Sequence, residues 1–154
     1  MKKEIERKFI VQNESWRTAS PGILYCQGYL SSARECTVRV RTAGDKAFLT
    51  IKGPTTGPSR TEYEYEIPQA DARALLAELA EKPLIEKIRH KRTYDGLLWE
   101  IDEFLGENQG LIVAELELKS EEQAFDKPDW AGEELTDDPR YFNSNLTKKP
   151  FGRW

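Results

Sequence analysis

The stretch EIERKFIV, Glu4 to Val11, puts charged side chains on one parity and apolar ones on the other. Glu4, Glu6 and Lys8 alternate with Ile5, Phe9 and Val11, and only Arg7 falls among the apolar set. Successive residues of a β-strand point to opposite faces, so the segment reads as a strand with one ordered ionic face. A face that merely meets water has no reason to order its charges. The pattern recurs downstream. In TVRVRT, Arg39 and Arg41 oppose Val38 and Val40, and in FLTIKG, Thr50 and Lys52 oppose Leu49 and Ile51. RTEYEYEI sets Arg60, Glu62, Glu64 and Glu66 against Tyr63, Tyr65 and Ile67. EKIRHK contributes Lys87 and Arg89, LWEIDEF contributes Glu100 and Asp102, and VAELELK contributes Glu115 and Glu117.

For any one of these strands, a solvated outer face is the ordinary meaning of alternation. Their repetition points elsewhere. Solvated faces mix Ser, Thr, Asn and Gln with their charges, whereas here charge returns at adjacent same-face positions. The apolar parities supply what the helical segments and tyrosines must pack against. The ionic face then lines the inside of a closed or strongly curled sheet, where acids must pair with bases or await charged ligands. Carboxylates suit cations and the bases suit an anion, which together describe a site for a polyanion with divalent metal ions.

Residues 3–11, 24–31, 36–43, 47–53, 60–67, 85–94, 97–104 and 111–119 read as strands. Turn residues separate them: Ala43 to Lys46, the Gly/Pro/Thr loop 53–59, Asp95-Gly96, and Gly106 to Gly110. Three stretches break the period. Residues 69–81 predict a helix with Leu75, Leu76 and Leu79 on one side. Ser120 to Gln123 has capping-box spacing and predicts a short helix. Pro139 after Thr136, Asp137 and Asp138 predicts another helix start. The fold class is α+β, dominated by an antiparallel sheet.

At 154 residues the chain fits one domain able to bury a real core. Its 32% charged residues exceed the usual quarter, yet the net charge is only −4, so the signs are mixed. That balance disfavours a nucleic-acid partner, which calls for a basic surface. No apolar run approaches membrane-spanning length and no signal peptide opens the chain, so no membrane association is expected. Cys26 and Cys36 make no disulfide framework, which fits a reduced, cytoplasmic protein. Neither has nucleophile or zinc spacing around it. His90 has the opposite parity to Lys87 and Arg89 and is expected outside the ionic face. Trp16, Trp99 and Trp130 read as outer-layer packing. The parity of Tyr29, shared with Tyr25 and Gln27, leaves both faces open to it. The loop 53–59 lacks the G-K-[ST] ending of a phosphate-binding P-loop.

EIERKF, VRVR, LTIKG, RTEYEYEI, IEKIRHKR, WEIDEF and AELELKSE, in that order, resemble the CYTH superfamily, also called triphosphate tunnel metalloenzymes. The N-terminal E-x-E-x-K is the family's hallmark, and QGYL, GEEL and YFNSNL resemble its small bacterial members. The resemblance runs from Glu4 to about Leu146. It implies an eight-stranded antiparallel β-barrel forming a tunnel, with helices packed outside, and Mg2+- or Mn2+-dependent chemistry on a triphosphate. Position by position it implies Glu4, Glu6, Glu62, Glu64, Asp102, Glu115 and Glu117 as the metal set. It implies Lys8, Arg39, Arg41, Lys52, Arg60, Lys87 and Arg89 as triphosphate-binding bases. The role of Glu100 is open.

Phosphoryl transfer asks mainly for placement and charge neutralisation, and Mg2+ prefers carboxylate and water oxygens. Glu62 or Glu64 is expected near the attacking water and Lys87 at the leaving phosphate, as the catalytic residues. The leading expectation is an inorganic triphosphatase, because a short chain has little left to build a base-binding pocket. A nucleoside or thiamine triphosphatase and a class IV adenylyl cyclase share the tunnel. From other classes come a non-catalytic polyphosphate-binding module, which would gain nothing from the carboxylates, and a structural protein with an ionic sheet. A homodimer is compatible with the sequence and not required by it.

Overall fold

A computed structural model describes residues 3–154. The alternating segments form β1 (Lys3–Val11), β2 (Ile23–Ala33), β3 (Cys36–Ala43), β4 (Lys46–Lys52) and β5 (Ser59–Glu66). After helix α1 (Gln69–Glu78) come β6 (Ile85–Tyr94), β7 (Leu97–Phe104) and β8 (Ile112–Glu117). A short ninth strand, β9 (Ala131–Glu134), and helix α2 (Asn143–Lys148) complete the chain's regular elements. At the β6–β7 turn Asp95 and Gly96 have φ of 50° and 76°, the left-handed pair that a type I′ hairpin requires.

The sheet runs β5-β4-β3-β2-β6-β7-β8-β1-β9, and β5 also pairs with β1. That last pairing, Lys3 with Thr61 through Ile5 with Ser59, closes eight strands into a ring. β9 pairs with β1 further along, at Phe9 and Val11, where β5 has moved away. Alternation does not predict the ninth strand: AGEE is four residues long and has no period-two pattern.

Closure turns the usual layering inside out. The apolar parities face outward; the helices and connecting segments cover many of them, though Tyr63 and Tyr65 on β5 stay exposed, and the core lies between ring and coat. Phe9, Trp16, Trp99 and Trp130 are all buried in one cluster. Trp99 meets Trp130 edge-on at 5.4 Å and Phe9 at 5.5 Å between ring centroids. The tryptophans therefore serve the outer layer, as expected. His90 also lies outside the ring, 4.8 Å from the Trp16 ring and 3.3 Å from Glu103. Arg7, the exception in the first strand, pairs with Glu134 and lies 4.9 Å over the Phe125 ring.

Helix α1 differs from the expectation in its buried side. Ala72 and Leu76 are buried, with Ala80 just beyond the helix, while Leu79 is 65% exposed. The small alanines bring the helix close to β2 at Gly28. A Cβ on Gly28 would sit 2.7 Å from Leu84 Cδ2 and 2.9 Å from Ala80 Cβ. Gly28→Ala is therefore expected to cost about 1–3 kcal/mol, read as a lower thermal midpoint.

The helix expected from Ser120 does not form. Gln123 Oε1 accepts from Lys119 N at 2.7 Å, and Gln123 N donates to Ser120 O at 3.3 Å, leaving only a turn. Phe125 is drawn onto Phe9 and Trp99, and Pro128 disfavours helical backbone before it. At Pro139 a single 3-10 turn precedes α2. α2 buries Leu146 against Ile85, Phe104 and Leu135. Among the described residues no helix is long and apolar enough to cross a membrane.

Candidate functional site

The inward parities meet inside the ring. Lys8, Arg39, Lys52, Arg60, Lys87 and Arg89 line one cavity together with Glu4, Glu6 and Glu115. Six basic side chains face three acidic ones there, so positive charge is in excess. The acids are not spread evenly. Glu4 receives a hydrogen bond from Lys52 at 2.9 Å, and Glu62 lies 3.4 Å from the same ammonium. Glu115 lies 3.9 Å from Lys8. Glu6 has no such partner within ion-pair distance among the described residues. Burial first, then the Glu115 and Glu4 carboxylates, push Glu6 up to about 8. Burial also raises Glu4, with Glu62 adding to the effect and Lys52 opposing it. For Lys52 itself burial and Arg39 act downward, and the three glutamates around it prevail and raise it.

Glu6 therefore works against folding. Its native value lies above the unfolded one, so stability falls as pH rises from about 4.5 towards 8. Glu6→Gln removes this cost and is expected to stabilise the metal-free protein by on the order of 2 kcal/mol at pH 7.5, and by nothing at pH 4. Thermal unfolding in EDTA at the two pH values reads the difference.

A second cluster anchors the opposite wall. Asp102 is fully buried; Arg89 donates to it twice, from Nε at 2.8 Å and from Nη2 at 2.9 Å, and Lys87 Nζ lies 2.8 Å away. Burial acts to raise Asp102, but Arg89 and Lys87 outweigh it and hold the carboxyl well below the usual carboxylate range. Burial lowers Lys87 to about 8, with Arg89 adding to the effect and Asp102 opposing it. At neutral pH the triad stays ionic, since two cations hold one carboxylate. Both oxygens of Asp102 are thus engaged by bases. Glu100 is 3.3 Å from Arg89 Nη1 and adds a more exposed partner.

The arginines of β3 are the least satisfied. Arg39 and Arg41 each lie 3.6 Å from Glu64 Oε2, which also accepts from Thr50 at 2.8 Å. The Nε of each arginine is buried with no hydrogen-bond partner. Tyr25 lies between Arg41 and Arg89, with their guanidinium carbons 5.0 and 4.8 Å from its ring. Burial, Arg39 and Arg89 lower Arg41 to about 10. Arg60 donates to Gly53 O at 3.1 and 2.8 Å, fastening the 53–58 loop at the cavity rim.

Of the residues expected at the site, nine line the cavity directly. Glu62 joins through Lys52, Asp102 stands behind Lys87 and Arg89, and Glu64 and Arg41 lie beyond Arg39. Glu117 lies opposite Glu6 in the β1–β8 ladder and shares a shallow hollow with Glu100. Sequence parity missed the contributions from outside the strands: Thr55 and Gly57 of the rim loop, Thr136, and Phe142, Asn143 and Ser144 at α2. None carries a charge, so the signal that found the rest was silent. Tyr29, left open by parity, faces the cavity.

The donor chemistry suits a hard divalent cation, since Glu4, Glu6, Glu62 and Glu115 are oxygen donors crowded against one another. Among the described residues no three acidic, histidine or cysteine side chains converge tightly enough to hold an ion as they stand. Lys52 stands between Glu4 and Glu62.

A CYTH domain family model matches residues 2–149 of the chain. A protein of Acetivibrio thermocellus named inorganic triphosphatase is 54% identical over 151 residues, spanning 98% of this chain and 97% of its own. A second protein of that name, from Nitrosomonas europaea, is 38% identical over 93% of this chain and 95% of its own. A crystal structure described as an inorganic triphosphatase shares the fold with a TM-score of 0.66 and 35% identity, covering 94% of this chain and 93% of that one. A ring of eight strands with an ionic interior, matched along nearly its whole length, places this chain in the CYTH domain family.

Proposed function

We propose that this protein hydrolyses inorganic triphosphate to pyrophosphate and phosphate inside the ring, with Mg2+ or Mn2+ as its cofactor. The observation that carries the reading is the cavity's charge: six bases and three carboxylates around one space, with arginine donors buried and unbonded. Such a space calls for a compact polyanion. The names of the relatives point to the same substrate.

Arg39 can grip phosphate oxygens as a fork, while Lys8, Lys52 and Lys87 act as point charges and Arg60, held by Gly53 O, adds charge at the rim. Glu4 and Glu6 would hold the metal, with Glu62 and Glu115 beside them. When bound, the ion neutralises phosphate oxygens and acidifies a water. Of the two glutamates, Glu62 would take the proton of the attacking water, because Glu64 is already held by Thr50 and two arginines. As water oxygen bonds to the terminal phosphorus, the bridging P–O bond breaks and the leaving pyrophosphate gains charge, which Lys87 meets. Asp102 keeps Lys87 charged and aimed. Free Cys26 and Cys36 fit a reducing cytoplasm.

Phosphate release from tripolyphosphate, ATP and thiamine triphosphate, each with Mg2+, Mn2+ or EDTA, tests the reading. Tripolyphosphate should be cut fastest, giving equal pyrophosphate and phosphate, and EDTA should stop the reaction. No cleavage of tripolyphosphate with either ion overturns it.

A further inference from the structure

Thr50 stands on β4 between two charged residues of the flanking strands: in the ladders it faces Arg39 of β3 on one side and Glu64 of β5 on the other. It is fully buried and takes no part in lining the cavity. Its hydroxyl joins the two. Arg39 Nη2 lies 3.3 Å from Oγ1, and Oγ1 lies 2.8 Å from Glu64 Oε2. A guanidinium can only donate, so Oγ1 accepts from Arg39 and directs its single proton at Glu64. Arg39 and Glu64 themselves stay 3.6 Å apart, beyond hydrogen-bond reach, although their charges are opposite. Without the hydroxyl the carboxylate would close on the guanidinium as a direct pair and occupy its donors. With it, one donor is anchored, and Arg39 keeps a buried, unpartnered Nε beside the cavity that it lines. Arg41, the next base on β3, has Phe48 opposite it instead of a hydroxyl, and it does not line the cavity.

We infer that Thr50 is a positioning residue: its hydroxyl fixes the Arg39 guanidinium and holds Glu64 off it, so that Arg39 meets the bound triphosphate with donors free. The inference rests on the function proposed above and names the neutral group on which the Arg39 grip depends.

Calorimetric titration of tripolyphosphate in EDTA, where no turnover occurs, reads the grip directly. Thr50→Val keeps the shape and removes the hydroxyl, and it should weaken binding about tenfold. Thr50→Ser keeps the hydroxyl and should stay within about twofold of the parent. Because Thr50 acts through Arg39, the two are coupled: in an Arg39→Ala background Thr50→Val should add almost nothing. A purely structural Thr50 predicts that its loss repeats in full in that background. A full repeat, an unchanged affinity in Thr50→Val, or a Thr50→Ser as weak as Thr50→Val overturns the inference. Melting without tripolyphosphate checks that each variant folds; Thr50→Ala, which also lacks the hydroxyl, decides the matter if Thr50→Val does not. Wild-type protein that binds and cuts tripolyphosphate while the variants break this pattern would sink the role of Thr50 and leave the hydrolase standing. Wild-type protein that binds it, with this pattern in the variants, but does not cut it with Mg2+ or Mn2+ would sink the hydrolase and leave the role of Thr50 standing. Wild-type protein that neither binds nor cuts it would sink both.

Discussion

Asp102→Ala should lose about 3–5 kcal/mol of stability and nearly all turnover, because it strands two buried cations at once. Lys87 is 1% exposed and Arg89 8%, and Asp102 is the carboxylate each of them touches most closely. Breaking a buried ionic cluster by removing one partner costs more than the cluster contributes, since the survivors keep their desolvation penalty. Lys87 has the simplest escape. Already lowered to about 8 by burial, it should shed its proton at neutral pH once Asp102 is gone. The variant thus loses the charge that steadies the leaving pyrophosphate as well as its stability. Chemical denaturation measures the first effect, and turnover at saturating tripolyphosphate measures the second. A variant as stable as the parent would mean that the two bases find other partners or water, contrary to this packing.

Arg39→Ala should lower kcat/KM for tripolyphosphate by about two orders of magnitude with the fold intact. Arg39 lines the cavity, its Nε is buried without a partner, and its nearest carboxylate is 3.6 Å away. Beyond a 3.3 Å bond from Nη2 to Thr50 Oγ1 its donors have little to hold, so its removal costs the fold little and costs a bound anion a charge-assisted fork, worth about 2–3 kcal/mol. Uniform loss from ground and transition states would appear in KM, and loss confined to the transition state in kcat. Steady-state kinetics separate them. An unchanged kcat/KM would remove Arg39 from the substrate's path.

These effects grow from a pattern that period-two reading could find. In Glu4 to Val11 the side chains alternate by face, so one strand already shows which residues share a surface, and seven strands show that the surface is ionic throughout. Parity alone leaves that surface free to be outside. What turns it inward is the β1–β5 pairing, a contact between residues more than fifty positions apart, which no local pattern encodes. β9 escaped notice for a different reason: its partner is set by the place where β5 leaves β1, and its own four residues have no period. Gln123 shows local and tertiary preference in conflict, with Phe125 packing on the ring winning over a capping signal. Thr50 marks the last gap. Parity puts it on the ionic face, but a neutral hydroxyl acquires meaning only from its neighbours, and the register of β3, β4 and β5 supplies them.

On the proposed function, the ionic interior receives a triphosphate together with a divalent ion. A crystal structure of the protein with tripolyphosphate and Mn2+, using anomalous scattering to find the manganese, tests it most directly. Manganese is expected beside Glu4 and Glu6, with the phosphate chain running past Arg39, Lys52 and Lys87. Tripolyphosphate and manganese found only on the outer surface of the ring, with the interior ion pairs undisturbed, would contradict it.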